Sequence, residues 1–173
     1  MYNNQFEYLN EEDLLYFDEN RLCYEQYYNE DCTMLTFPSR FNDPIANIDF
    51  ADGLECINFG SKFNKPLENA KFPPSLKSIK FGKKFNRSID NIIFPENLET
   101  LEFGEKFNKT INNLPPFLKK IIFNRITKVH TNLPCTLDSI VIKEYFTYDQ
   151  IMACLKIPYG CNIYNIDNIQ INF

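Results

Sequence analysis

Residues 76–89 read LKSIKFGKKFNRSI, and close copies of this stretch recur along the chain at a fixed distance. The Phe-Asn pair in it has counterparts at steps of 22 residues, and the four pairs are Phe41-Asn42, Phe63-Asn64, Phe85-Asn86 and Phe107-Asn108. A unit of this length cannot close a hydrophobic core alone, so each copy must bury its apolar side against the next. The period therefore predicts a repeat solenoid as the fold class.

The first half of each copy has the pattern of a β-strand that buries one side. Leu76, Ile79 and Phe81 occupy the first, fourth and sixth positions of the Leu-x-x-Leu-x-Phe signature of leucine-rich repeats. These positions are expected to point inward, and the second, third and fifth to face outward. A parallel sheet on one face is predicted from seven segments, residues 32–37, 54–59, 76–81, 98–103, 118–123, 137–142 and 161–166.

Each predicted strand is followed by a bend. Gly60, Gly82 and Gly104 stand where the chain must leave the strand sharply, which favours a residue free to adopt positive φ. The Phe of each Phe-Asn pair then returns to the core, where full burial stabilises by roughly 1.5–3 kcal/mol. The Asn, as at Asn86, is predicted to be buried with its amide bonded to backbone groups of the bend.

The second half of each copy is expected to be an irregular return arm. Prolines close these arms, as in Phe72-Pro73-Pro74 and Phe94-Pro95. A length of roughly ten residues with these prolines leaves no room for an amphipathic helix. The arms are therefore predicted to be extended or tightly turned, and the fold to be mainly β.

Residues 1–31 differ in charge from the repeats, which occupy residues 32–142. They carry nine acidic residues against Arg21 alone, a net charge of −8. Short helices are predicted through Leu14–Phe17 and Leu22–Tyr27, because acidic residues follow a helix-capping Asn10. We interpret this part as an acidic helical cap, since a solenoid is otherwise open at its first strand. A remnant of an F-box is the alternative, although the segment is short for that three-helix module.

Residues 143–173 are predicted to form the C-terminal cap. Thr147 is a helix-capping residue, and the helix that begins after it is expected to end before Pro158. The last predicted strand follows. The expected architecture thus has short helical caps at both ends of the sheet.

Two surfaces of the repeats are candidates for binding a partner, and the first is the sheet face. The second strand position alternates in charge through Glu55, Lys77, Glu99 and Lys119, so this face is expected to neutralise itself. Apolar contacts on it are expected from Met34, Ile122 and Val141.

The second surface is a row of basic residues that has no such compensation. Basic side chains directly precede the Phe of all four Phe-Asn pairs and follow the Asn in three. We call these seven residues the basic rim: Arg40, Lys62, Lys84, Lys106, Lys65, Arg87 and Lys109. Stacked like charges repel and must extend into water. The rim is therefore either a solvated edge or a docking strip for an acidic protein segment, including the acidic N-terminal residues of the same or another copy.

The blocks FGSKFNKPL at residues 59–67 and FGKKFNRSI at 81–89 resemble the FNIP repeat, a divergent leucine-rich repeat of social amoebae and of giant viruses that infect amoebae. The resemblance covers residues 32–142, with Ser88 and Thr110 in place of the family's Pro. It implies a protein–protein interaction module without enzymatic activity. In this family the repeats often stand beside an F-box that recruits a ubiquitin ligase.

Other function classes find little support in the residues. His130 is the single histidine, and no Cys-x-x-Cys pair occurs among six cysteines, so no catalytic residue, metal site or cofactor is expected. A sequence pI near 5.0 disfavours nucleic acid as the partner. The absence of a long apolar run or signal peptide predicts an intracellular, cytoplasmic protein with reduced thiols, in the host cytoplasm if it is viral.

The predicted function is a non-enzymatic protein-interaction module with a protein partner. Two alternatives stay open: a substrate-recognition adaptor for a ubiquitin ligase, and a structural component that assembles with itself. The oligomeric state is left undetermined.

Overall fold

The computed structural model describes residues 24–171, and its strands fall at the seven places that the repeat period predicts. The strands are β1 (Met34–Thr36), β2 (Cys56–Asn58), β3 (Ser78–Lys80), β4 (Thr100–Phe103), β5 (Lys120–Phe123), β6 (Ser139–Ile142) and β7 (Asn162–Tyr164). They form one parallel sheet in chain order. A 3₁₀ helix (Tyr24–Tyr27) precedes the sheet, and helix α1 (Tyr148–Cys154) lies between β6 and β7. The predicted mainly β solenoid is confirmed, with strands shorter than the six residues expected.

The strand register shows how the repeat length sets the pairing. Ile79 lies beside Ile57 on one side and Leu101 on the other, so a step of 22 residues along the chain is one step across the sheet. Later turns differ in length, yet Ile121, Ile140 and Ile163 continue the same row. The change in length is therefore absorbed by the return arms and not by the sheet. The phase predicted for residues 161–166, with Tyr164 and Ile166 inward, is wrong by one residue, since Ile163 is buried and Ile166 is 63% exposed.

The core is built from rows of inward side chains, with an aromatic column at its centre. Phe81 stacks on Phe59 and Phe103 with ring centroids 5.7 and 5.8 Å away. It also stacks on Phe85 of its own turn at 4.1 Å, and Phe85 stacks on Phe107 at 6.2 Å. The predicted stacking of Phe59, Phe81 and Phe103 is confirmed. Such contacts between rings add stabilisation beyond the apolar area that they bury.

The glycines after the strands are needed for a reason other than the predicted one. The positive φ among the described glycines is at Gly160, and not at Gly60, Gly82 or Gly104. A Cβ on Gly82 would lie 2.0 Å from the carbonyl oxygen of Gly60, and one on Gly104 would lie 2.0 Å from that of Gly82. Glycine is required here because successive turns approach each other backbone to backbone.

The asparagines of the Phe-Asn pairs form a ladder between turns. The Oδ1 atom of Asn64 accepts the backbone N–H of Asn86 at 3.0 Å, and that of Asn86 accepts the N–H of Asn108 at 3.0 Å. The predicted bonding of the amide to backbone is confirmed. The predicted burial is wrong, because Asn64 and Asn86 are half-buried and Asn108 is exposed.

Replacing Asn86 by alanine is expected to lower the free energy of unfolding by about 1 kcal/mol, the net worth of one hydrogen bond. The loss stays moderate because Asn108 is exposed, so its backbone N–H can donate a hydrogen bond to water instead. Asn91→Ala, at an exposed position of the same turn, is the control and should cost less than about 0.5 kcal/mol. Urea unfolding of both variants measures the difference, and equal losses would show that the ladder contributes nothing.

The chain itself covers the outer edge of β1. Asn29 N–H donates to the carbonyl oxygen of Met34 at 2.9 Å, and Asn29 Oδ1 accepts the N–H of Met34 at 2.8 Å. Cys32 lies in this turn, exposed and with φ of 55°, so its predicted place as an inward strand residue is wrong. Tyr24 and Tyr27 pack their rings on Phe37 of the first turn. The predicted helix through residues 14–17 lies outside the described residues.

The last turns are closed in a similar way. Thr147 and Gln150 form a capping box at the start of α1, as the sequence predicts for the start of this helix. After β7 the chain turns back, and the N–H of Ile171 donates to the carbonyl oxygen of Ile163 at 2.8 Å. Unpaired edge strands invite pairing with other chains, so the two antiparallel turns protect both edges of the sheet.

Candidate functional site

The sheet face carries the charge alternation that the sequence predicts, closed into ion pairs. Lys77 Nζ lies 2.6 Å from Glu55 Oε1, and Lys119 Nζ lies 2.6 Å from Glu99 Oε1. The hydrogen bond to Glu55 raises the pKa of Lys77, and the hydrogen bond from Lys119 lowers the pKa of Glu99. This face therefore presents little net charge to a partner.

Glu102 is an acidic residue of the sheet face that is buried rather than solvated. It stands at an outward strand position but is only 8% exposed. Lys143 Nζ lies 2.6 Å and Lys80 Nζ 3.4 Å from its Oε1, and Asn124 Nδ2 donates to the same oxygen at 3.3 Å. Burial alone would raise the pKa of Glu102, but these partners outweigh it and hold the pKa below its usual range. Lys143 is 41 residues away in sequence, so no local pattern could have revealed the cluster.

The apolar contacts expected on the sheet face differ in their exposure. Met34 is 40% exposed and Ile122 is half-buried. Val141 is only 7% exposed, because its strand neighbours Ile122 and Tyr164 flank it in the sheet. Val141 therefore offers a partner very little surface, and Ile122 is the better probe of this face.

The basic rim is held by the backbone of the turns from which it projects. The N–H of Lys62 donates to the carbonyl oxygen of Ser39 at 3.0 Å, and the N–H of Lys84 donates to that of Ser61 at 2.9 Å. Lys106 makes the same bond to Lys83 at 3.0 Å. The rim therefore runs parallel to the stacking direction, with one residue per strand spacing of about 4.8 Å.

The side chains before the Phe are the most uniformly exposed part of the rim. Arg40, Lys62, Lys84 and Lys106 are all exposed. Within residues 24–171, none of the seven rim side chains takes part in an ion pair. The cations that do form ion pairs there are Lys77, Lys80, Lys83, Lys119, Arg125 and Lys143. The rim is thus an uncompensated positive edge beside a neutralised sheet.

Two of the three side chains after the Asn are less exposed to solvent than those before the Phe. Lys65 and Lys109 are half-buried, whereas Arg87 is exposed and its Nε donates to the carbonyl oxygen of Asn64 at 2.9 Å. This bond ties the guanidinium to the asparagine ladder. The structure therefore places all seven predicted rim residues along one edge, although it assigns them no ligand.

Groups suited to catalysis are not assembled in the described part of the chain. His130 is buried and its ring stacks on Phe123 at 5.5 Å, and burial, together with Lys128, lowers its pKa. Burial, together with Asp138, raises the pKa of the Cys161 thiol to about 11, which keeps it protonated and unreactive. Among residues 24–171, no cluster of His, Cys, Asp and Glu is arranged to bind a metal ion.

His130 should make the stability depend on pH. Its pKa is lowered from the ordinary value of 6.5, so the unfolded chain binds this proton more readily than the folded chain. The free energy of unfolding should therefore fall as the pH drops below about 6.5, until the folded imidazole is itself protonated. Since the chain has one histidine, His130→Gln should flatten this dependence between pH 7 and pH 5. Urea unfolding across that interval tests it, and identical slopes for both proteins would contradict the assignment.

A parallel sheet of short strands, one per turn, with irregular return arms places the chain among solenoids of the leucine-rich-repeat class. The family model of the FNIP repeat matches residues 41–84, 63–106 and 85–125. The chain is therefore an FNIP repeat protein. The matched part, residues 41–125, is narrower than the 32–142 expected, because the match begins at the first Phe-Asn pair, Phe41-Asn42, and no such pair follows Phe123.

One solved structure with this fold is CroV588 of a giant virus, described as a novel circular leucine-rich-repeat protein. It is 26% identical, covers 77% of this chain and superposes with a TM-score of 0.51. The chain spans only 23% of the length of that protein. No curated protein matches the sequence. Within residues 24–171, no helix has the length and apolar character needed to cross a membrane.

Proposed function

We propose that the chain is a protein-interaction module and that its basic rim binds an acidic segment of a partner protein. The observation that carries this proposal is the contrast between two neighbouring surfaces. Lysines of the sheet face pair with acids at 2.6 Å, whereas the rim has no acidic partner in residues 24–171. Solenoids of the leucine-rich-repeat type generally act as binding scaffolds and not as enzymes, because their stacked turns present side chains in ordered rows.

A protein segment suits the rim better than nucleic acid does. Single-stranded nucleic acids are bound by basic grooves that interleave exposed aromatic side chains for base stacking. Phe63, Phe85 and Phe107, which alternate with the rim residues, are buried in the core and cannot supply that contact. The rim offers charge without stacking platforms, which suits carboxylate side chains.

Reversing the rim charge tests the proposal directly. We expect Lys62→Glu, Lys84→Glu and Lys106→Glu together to weaken the binding of fluorescein-labelled decaglutamate at least about tenfold at low ionic strength, because opposite charges steer and hold the peptide. Binding to the unaltered chain should also weaken towards physiological salt, where the screening length falls to about 8 Å. Fluorescence anisotropy measures both effects.

Two control variants separate rim binding from general charge. Replacing the same three lysines by arginine keeps the charge and should preserve binding. Reversing three exposed lysines elsewhere, Lys71, Lys128 and Lys156, changes the net charge equally and should weaken binding much less. Equal weakening by the rim and control reversals would refute the rim as the binding surface.

The sheet face is the rival surface for the same function. A partner there should respond to Ile122→Asp and little to salt. Val141→Asp does not serve as a probe, because Val141 is 7% exposed and a buried carboxylate would disturb the fold itself. If Ile122→Asp abolishes binding of a partner and the rim reversal does not, the binding surface is the sheet face and not the rim.

The alternatives have weaker support. An adaptor for a ubiquitin ligase would require a helical contact from residues 1–31, most of which lie outside the described residues. Assembly of particles by strand addition is opposed by the antiparallel turns at Asn29–Met34 and Ile163–Ile171, which occupy both sheet edges. An intracellular location is part of the proposal, and the five cysteines within the described residues support it because all are free thiols.

A further inference from the structure

We propose that residues 1–23 of this chain occupy its own basic rim, so that an outside acidic partner must displace them. This inference rests on the proposed function, because it uses the same surface and the same ligand chemistry. It goes further by naming the first occupant. The rim would then be a regulated site and not a permanently open one.

Residues 1–23 and the basic rim carry opposite charges. Residues 1–23 hold six acidic residues, Glu7, Glu11, Glu12, Asp13, Asp18 and Glu19, against Arg21 alone. Of 18 basic and 23 acidic residues in all, this leaves seventeen of each sign for residues 24–173. The whole net charge of −5 therefore sits in the segment that precedes Tyr24. The rim is the part of residues 24–171 where several cations lie in a row without an ion pair.

Residues 1–23 join the rest of the chain close to one end of the rim. The Tyr24 ring packs edge-on against Phe41 at 5.9 Å, and Phe41 directly follows Arg40, the first residue of the rim. Residues 1–23 are therefore attached beside the end of the rim and not at the far side of the solenoid. A tethered segment acts at a high effective concentration, so even modest contacts can keep it bound.

Residues 1–23 are long enough to extend along the whole rim. Arg40 and Lys106 are three turns apart, which is about 15 Å at the spacing of parallel strands. A segment of 23 residues can extend up to about 75 Å. The segment is thus long enough to follow the whole rim with length to spare, and its acids at positions 11–13 and 18–19 can meet several rim cations at once.

Zero-length carbodiimide cross-linking of the full chain tests the contact, because it joins a carboxylate only to an amine that it touches. We expect cross-links from residues 7–19 to Lys62, Lys84 or Lys106, identified by mass spectrometry. In an equal mixture of unlabelled and ¹⁵N-labelled chains, the two peptides of each cross-linked pair should be either both labelled or both unlabelled, because they come from the same chain. Mixed label states would assign the segment to a second copy, and cross-links to lysines outside the rim would overturn the proposal.

Binding of fluorescein-labelled decaglutamate tests the consequence. Neutralising the six acids of residues 1–23 to Gln or Asn should tighten binding about tenfold, as expected if the segment fills the rim about nine-tenths of the time. A matched control neutralises six exposed acids elsewhere, Glu30, Asp31, Asp49, Asp52, Glu68 and Glu96. It changes the net charge equally and should tighten binding far less.

The two proposals fail in different ways. If both variants and the unaltered chain bind decaglutamate equally and the rim reversal weakens all of them, the rim binds acidic segments but residues 1–23 do not occupy it. If decaglutamate binds none of them, the rim is not a site for acidic peptides and both proposals fall. If the two neutralised variants tighten binding equally, general charge is the cause and self-occupancy is refuted.

Discussion

Replacing Gly82 by alanine should lower the free energy of unfolding by at least about 3 kcal/mol, or prevent folding, because the new methyl group has no space. Its Cβ would lie 2.0 Å from the carbonyl oxygen and 2.6 Å from the carbonyl carbon of Gly60. Both atoms belong to the backbone of the preceding turn, so no side chain can move aside. The two turns would have to separate, and the strand pairing of β2 with β3 would be strained.

Gly53→Ala is the matched control for this prediction. A Cβ there meets nothing within 4 Å, and Gly53 does not have positive φ. Alanine should therefore be neutral or stabilise by up to about 1 kcal/mol, because it restricts the unfolded chain. Thermal and urea unfolding of both variants measures the contrast. If Gly82→Ala leaves the free energy of unfolding as little changed as Gly53→Ala does, the turns can separate at little cost.

Phe81→Ala should be among the most destabilising truncations of a side chain, at about 3–5 kcal/mol. Phe81 is 2% exposed and stacks on three rings, those of Phe59, Phe85 and Phe103. Removing it opens a cavity in the middle of the aromatic column. The neighbouring turns cannot collapse into this cavity, because hydrogen bonds between the strands hold their spacing.

Phe117→Ala is the corresponding control, because Phe117 is 60% exposed. It should cost no more than about 0.5 kcal/mol. The same unfolding experiments serve, and circular dichroism at room temperature checks that each variant is folded. Comparable losses at Phe81 and Phe117 would mean that the aromatic column is not the main source of stability.

The sequence by itself determined the solenoid, the inward phase of six of its seven strands and the family. Its period and the alternation of apolar residues carry this information, because each turn sees nearly the same surroundings as the next. The inward rows of Ile57, Ile79 and Leu101 and the stacked Phe column follow from that repetition alone. The basic rim could also be read from the sequence, since its residues keep a constant place in each copy.

Only the tertiary structure decided features that depend on contacts between different turns. Gly82 looked like a residue of unusual φ and proved to be a point of close approach to Gly60. Glu102, at a strand position expected to face outward, is buried and pairs with Lys143 from a later turn. His130 sits against Phe123 because a remodelled return arm brings it there. In each case the deciding neighbour is absent from the local pattern, so the pattern alone could predict the residue's place in the turn but not its environment.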